Sequence, residues 1–429
     1  MVRLHSRQFI ARLLRLPRYH SHYSNQYGNG VVGPLIVRGP TSGNYDIDLG
    51  PYMITDYYWE TADVLSRRAE LVGGGPPDSD NILFRGKNVH PSGSGGQYDR
   101  LTLTPGKKHL LRIINTSVDN SMTVSLVGHT FTVVATDLVP VTPVIRSSLF
   151  VGVGQRYDVV IEANQKVDNY WFNATLESSN LCGRTRNPAP AAVFHYDGAG
   201  AGNPTNPGPR VAAACAGEAG FAPVVRRSVP SAGFAPQKLP VALTFPTTQH
   251  GQVFRWTVRN TAIDIEWDHP VLEYVLQGNT SYPAKVNLVE VPQADVWTYW
   301  IVQNDFPLPH PVHLHGHDFL LLGTGTGTFD TSQAGALLQF ENPVRRDVAQ
   351  MPGNGWVVFA FRTDNPGCWL LHCHIGWHVS QGLGIQFLER RSEIKRLMHL
   401  ESMEPTCNAW RAYQPKAAWL PKLDSGLRR

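Results

Sequence analysis

His372-Cys373-His374-Ile375-Gly376-Trp377-His378 follows His310-Pro311-Val312-His313-Leu314-His315 after an interval of 57 residues from His315 to His372. Together the two runs hold six of the chain's 17 histidines and one of its five cysteines. Successive side chains of an extended strand point to opposite faces. His372 and His374 therefore face one way and Cys373 the other. Two metal sites can share these three consecutive residues, joined through a few covalent bonds. That is a route for electrons, and a structural zinc site has no use for one.

The residue types narrow the metal. Neutral imidazole suits copper, zinc and iron, while thiolate suits Cu(I) and zinc. A His₂Cys set with a weak axial group is the blue-copper electron-transfer arrangement. Cys373 and His378 lie five residues apart, as expected for a strand end and its following loop, and His310 supplies the third ligand from an earlier strand. Leu383 falls ten residues after Cys373, where such sites often place Met. Leucine there leaves the copper three-coordinate and favours Cu(I). The other histidines form His-x-His pairs, His313/His315 and His372/His374, and each pair shares one face of a strand. Two facing pairs make a cage for more than one metal. A third pair, His20-Ser21-His22, becomes a third wall beside them. His317 continues the alternation, and spacing alone leaves its role open. His5, His90, His109, His129, His195, His250, His269 and His399 read as ordinary surface or core residues. A closed Cys₄ zinc site needs two Cys-x₂₋₄-Cys pairs, and the chain has one, Cys368 and Cys373.

The rest of the sequence fits a β-rich protein. Among 429 residues, 39 Gly and 32 Pro, with plentiful aromatics, favour short strands and turns. The formal net charge is +4 and no basic stripe is interleaved with aromatics, so nucleic acid is not an expected partner. No apolar run approaches the roughly 18 residues that span a bilayer, so no membrane association is expected. Asn115, Asn173 and Asn279 each open an N-glycosylation triplet in a region expected to be exposed. Cys182 and Cys215 bracket a Gly/Pro-rich segment and could close a disulfide, as secretion permits.

Alternating segments such as Leu101–Thr104, Met122–Leu126 and Phe131–Val134 predict β-sandwiches. Pro34-Leu35-Ile36-Val37 reads as an apolar strand, and a helix is expected near Glu393–Leu400. Gly323-Thr324-Gly325-Thr326-Gly327 reads as a turn between strands, since no Lys or helix pattern follows it.

At its copper-type motifs the chain resembles the multicopper oxidases, and within them ascomycete laccases. His310 through Phe319, His372 through Leu383, and Tyr19-His20-Ser21-His22 through Gly30 carry three of the family's four copper motifs. Gln155-Arg156-Tyr157-Asp158, Asn169–Phe172, Asn279–Pro283, Trp297–Trp300 and Asp424-Ser425-Gly426-Leu427 extend the likeness. The resemblance implies an all-β chain of tandem cupredoxin-like Greek-key β-sandwich domains, two complete and the first only a remnant. The expected division is a non-family segment 1–18, the remnant 19–43, a second domain 44–196, a linker 197–240 and a third domain 241–429. His310, Cys373 and His378 would hold a type 1 copper, with Leu383 beside it. His313 would bind a type 2 copper. His20, His22, His315, His372 and His374 would bind a type 3 pair. His378, Cys373, His372 and His374 would carry electrons from a phenolic or aromatic amine substrate toward dioxygen. A secreted, glycosylated monomer with a role such as lignin breakdown is implied. Cys182–Cys215 resembles a family disulfide, and Asp424–Leu427 a channel plug.

The chain also departs from the family. The first copper motif, His-Trp-His-Gly, which supplies one type 2 and one type 3 histidine, does not occur in these 429 residues. Residues 1–18 match nothing in the family; with Arg7, Arg12, Arg15 and Arg18 and no acid they superficially resemble a transit segment. Cys407 resembles a cysteine whose partner lies in the first domain. A truncated copy of a longer secreted enzyme is the expectation these features share. Arg146-Ser147-Ser148 stands where laccases often carry a pocket acid. Ascorbate oxidase, ferroxidase and a non-catalytic copper protein are the competing expectations.

Overall fold

The computed structural model describes residues 18–413 apart from 180, 210, 214, 218, 249–250 and 398–402. The motif at 424–427, His5, His250, His399 and the end of the expected helix near 400 lie outside the described residues. That helix runs over Arg391–Leu397.

Two β-sandwiches dominate. In the first, a five-stranded sheet takes the order Leu149–Val151, Met122–Leu126, Asn169–Thr175, Ala191–Tyr196, Arg100–Leu103. It faces a six-stranded sheet built on Ile47–Tyr57, Lys108–Asn115, Arg156–Glu162 and Phe131–Thr136. Alternate apolar residues of the two sheets, including Tyr52, Leu111, Val124, Phe131, Phe172 and Phe194, make one buried core. The second sandwich packs a six-stranded sheet centred on Trp297–Asn304 and Gly355–Arg362 against a five-stranded one. That five-stranded sheet, in the order Leu288–Val291, Gly384–Glu389, Gly367–Cys373, His310–Leu314, Val348–Met351, carries both histidine runs. Between the sandwiches, 197–236 has no named strand, yet Phe221 packs into the first core and Val229 beside Tyr299 in the second sandwich.

Several local expectations are corrected. Leu35, Ile36 and Val37 form no strand. Among the described residues, which begin at Arg18, Val32–Pro34 pairs with Arg18–His20, and the three apolar side chains are exposed. The glycine-rich run is a strand through Thr326, paired with Gly355–Arg362, and only Gly327 turns. Its glycines serve packing: a Cβ on Gly325 would stand 2.5 Å from the Trp356 ring. Asn115 and Asn173 are buried, Asn115 with its amide donating to Asn120 and Val151 carbonyls, so neither is an accessible glycan acceptor; Asn279 is exposed. The Cys182–Cys215 disulfide is formed, with Cα atoms 5.7 Å apart.

Candidate copper centres

Strand register sorts the site residues. His310–Leu314 runs antiparallel to Gly367–Cys373, with Val312 opposite Cys373 and His313 opposite His372. Directly opposed residues share a face. His310 and Cys373 therefore lie on one side of the sheet, and His313, His315, His372 and His374 on the other. The chain turns after His374 into a short helix, Gly376–Ser380, that returns His378 to the Cys373 side.

On that side the Nδ1 atoms of His310 and His378 are 3.1 Å apart, and the Cys373 Sγ lies 3.6 and 3.7 Å from them. All three residues are buried. Burial pushes the Cys373 thiol well above its ordinary range and lowers His378 to about 3. The imidazoles are thus neutral, with lone pairs free, and a metal entering must displace the thiol proton. The Trp256 ring sits 4.7 Å from His310 and 5.0 Å from His378, with Phe306 against it. Leu383 is buried, lines a small apolar void with Cys373, and its N–H donates to the His378 carbonyl at 3.0 Å.

Across the sheet, His22, His315 and His372 offer ligand atoms that all lie within 4.8 Å of one another. His315 Nε2 and His372 Nε2 are 3.1 Å apart. His372 Nδ1 bonds the Cys373 carbonyl at 2.7 Å, His313 Nδ1 the Asp347 carbonyl at 2.7 Å, and His20 Nδ1 the Ser21 carbonyl at 3.0 Å. Such bonds fix the tautomer and leave Nε2 to ligate, as in metal-binding histidines. Burial holds His20 and His313 at about 3 and His22 at about 4, so all are neutral. The donor chemistry fits copper on both sides of the sheet.

His20, His313 and His374 complete no such triad among the described residues. His374 Nε2 instead meets the Arg18 guanidinium. His317 turns away to a buried carboxylate, Glu389, at 2.7 Å. His90, His109, His129, His195 and His269 join neither triad. Cys368 lies on the same strand as His372 and Cys373 and its thiol donates to Gln386 Oε1 at 3.3 Å, and Cys407 is buried in the helix Met403–Tyr413.

Sequence reasoning missed Arg18, Trp256 and an ionic clamp between the sandwiches. Arg156 pairs with Asp347, and Arg346 with Asp137, all within or behind the histidine cluster. The Gln155–Asp158 motif pointed to Arg156, but no local pattern names its partners. Asp137, Arg346 and Asp347 of this clamp, with Arg18, His20, His22, His313 and His315, border a cavity of about 420 Å³.

Comparison with known proteins agrees with this geometry. Profiles of the multicopper oxidase family match residues 49–199 and 264–393. A laccase of Neurospora crassa is 50% identical over 96% of this chain and 68% of its own length. Laccase-1 of Melanocarpus albomyces is 49% identical over the same shares. The crystal structure of a laccase from Botrytis aclada superposes with TM-score 0.88 at 36% identity, covering 95% of this chain and 76% of that one. Fet3p, a multicopper oxidase of iron import, shares the fold at 22% identity with TM-score 0.78, over 91% of this chain and 76% of that one. The chain belongs to the multicopper oxidase family of copper-dependent oxidoreductases.

Proposed function

We propose that this chain is a laccase-like oxidase of phenols and aromatic amines whose capacity to reduce dioxygen is impaired in the 429-residue form. The carrying observation is the pair of donor triads back to back on one sheet, linked through Cys373 and His372. His310, Cys373 and His378 are the proposed type 1 ligands, His313 the type 2 ligand, and His20, His22, His315, His372 and His374 the type 3 ligands. Bound copper would supply one-electron oxidation of the substrate on one face and the site of four-electron dioxygen reduction to water on the other.

The protein's own part is positional. Cys373 and its two neighbours give a continuous covalent path through the sheet. Trp256 and Phe306 keep water from the buried His₂Cys face, which strengthens electrostatic interaction there. No carboxylate hydrogen-bonds His310 or His378 among the described residues, which favours an organic donor over Fe(II). Arg146 lies against Phe221 and the Ala219 carbonyl, so that position offers no pocket acid. The proposed division is a remnant at 19–43, domains at 44–196 and 241–429 and a linker at 197–240; the two sandwiches support its outline, and the strand Gln237–Thr244 of the second begins inside the proposed linker.

No helix among the described residues is long and apolar enough to cross a membrane. Secretion is supported by the disulfide and the exposed Asn279 triplet, and a monomer acting on small aromatic substrates is the proposed form. The test is copper reconstitution of the 429-residue protein followed by parallel measurement of methoxyphenol oxidation and oxygen uptake. The reading predicts the blue thiolate-to-copper band with weak oxygen uptake. Full turnover would contradict the impairment, and absence of the band would contradict the oxidase reading itself. A blue band with no phenol oxidation would favour the alternative, a non-catalytic copper protein.

A further inference from the structure

Arg18 opens the ladder with Val32–Pro34 and its side chain runs inward rather than to solvent; only 7% of the residue is exposed. Nη1 donates to the Asn115 carbonyl at 2.8 Å. That carbonyl is itself held, because the Asn115 side chain bonds two further carbonyls at 2.9 Å each. Nη2 meets His374 Nε2, while the ring's other nitrogen, Nδ1, is buried without a hydrogen-bond partner among the described residues. Gly154 closes the other side: a Cβ there would stand 2.7 Å from the His374 ring and 2.9 Å from Arg18. The guanidinium is therefore wedged on three sides.

A guanidinium has donors only and no lone pair to give a metal. An arginine guanidinium stays protonated in proteins, and Asp347 and Asp137 lie nearby to offset its charge. A fixed cation against His374 Nε2 both covers the donor and repels a second cation. Among the described residues, His22, His315 and His372 have no such neighbour in hydrogen-bonding contact, and their donor atoms already converge.

Resting on the type 1 assignment and on His22, His315 and His372 from the type 3 set proposed above, we infer that the 429-residue chain fills two copper positions and leaves those of His313 and of His20 and His374 empty. One sits at His310/Cys373/His378 and one at His22/His315/His372. Arg18 is the side chain that closes the His374 position to a third.

The experiment is anaerobic loading of the 429-residue protein with Cu(I), removal of excess metal, and complete oxidation with a high-potential one-electron oxidant such as hexachloroiridate(IV). Copper per chain is then measured by mass spectrometry, alongside the number of unpaired spins by electron paramagnetic resonance. Two separate Cu(II) ions are both visible, whereas a magnetically coupled pair is silent. The expected result is two coppers per chain with a spin count equal to the copper count. Three or four coppers, or a spin count below the copper count, overturns the inference. Arg18→Ala should raise the count from two to three, and Arg18→Lys, which keeps the charge, should leave it at two. An Arg18→Ala protein that shows a normal thermal transition and still holds two coppers removes Arg18 as the cause. Should that variant not fold, the count and spins of the unsubstituted chain still decide. Loss of the blue band in the unsubstituted chain would strike the underlying copper assignment instead, so the two failures read differently.

Discussion

The two faces of one sheet carry two metal pockets built to different standards. The His310/Cys373/His378 pocket draws every donor from one sandwich, is buried, and is capped by Trp256 and Phe306. The histidine cluster draws its walls from the strand at Arg18–His20, from the second sandwich and, through Asp137 and Arg156, from the first. It borders a cavity of about 420 Å³ lined with both signs of charge. A site held by its own sheet depends on local register; a site at a junction depends on whatever fixes the pieces together. The ionic clamp of Arg156, Asp347, Arg346 and Asp137 does this here, and Asp347 also orients His313 through its backbone carbonyl.

Substitutions on each face should separate the two. Cys373→Ser should abolish the blue band entirely and lower copper from two per chain to one, leaving the ion at His22/His315/His372. Absorption with metal analysis checks this, and loss of both coppers would show that the faces are not independent. Asp347→Ala leaves Arg156 buried with its pairing reduced, which should cost about 3–5 kcal/mol of stability. Urea unfolding reads that cost, and the blue band of the protein that remains folded should be unchanged.

The next effect is read by pH at Asp119, whose N–H donates to the buried Asp56 of the strand Ile47–Tyr57 in the first sandwich. Burial, and then Asp56, raises the Asp119 carboxyl to about 7. The folded state thus holds a proton that the unfolded chain releases near 4. Between pH 4 and 7 the native state binds more protons, so this group's contribution to stability declines as pH rises and levels off above 7. At about 1.4 kcal/mol per pKa unit the upper bound is about 4 kcal/mol. Thermal melts at stepped pH should show a flatter slope in Asp119→Asn than in the unsubstituted chain. Equal slopes would remove Asp119 from the account.

The smallest expected change is at Leu383. Leu→Met conserves volume, so stability should move by less than about 1.5 kcal/mol. The added thioether should lower the type 1 potential by stabilising Cu(II). A redox titration that finds an unchanged or higher potential would show that the side chain does not reach the metal.

Much of the donor geometry was legible because it is local. Alternation alone put Cys373 opposite in sense to His372 and His374, and the ladder to His310–Leu314 extends that alternation to the neighbouring strand. The sandwiches were equally readable from short alternating strands such as Met122–Leu126. What escaped was set by distant partners. Nothing near Arg18 announces that it will end against His374, 356 residues away. Trp256 caps the thiolate pocket only because Arg255–Val258 is brought to it by the second sandwich. Asn115 and Asn173 carry acceptor triplets, yet both lie buried in the first sandwich. Leu35–Val37 has the composition of a strand but no strand partner among the described residues. His317 fits the spacing of a ligand, and Glu389 claims it.

The central claim is that one pocket is complete and the other half closed by Arg18. Crystals of the 429-residue protein loaded with copper, measured at the copper absorption edge, test it most directly. The account predicts two anomalous peaks, one between His310, Cys373 and His378 and one between His22, His315 and His372. A further peak at His374 Nε2, with Arg18 displaced, would contradict it.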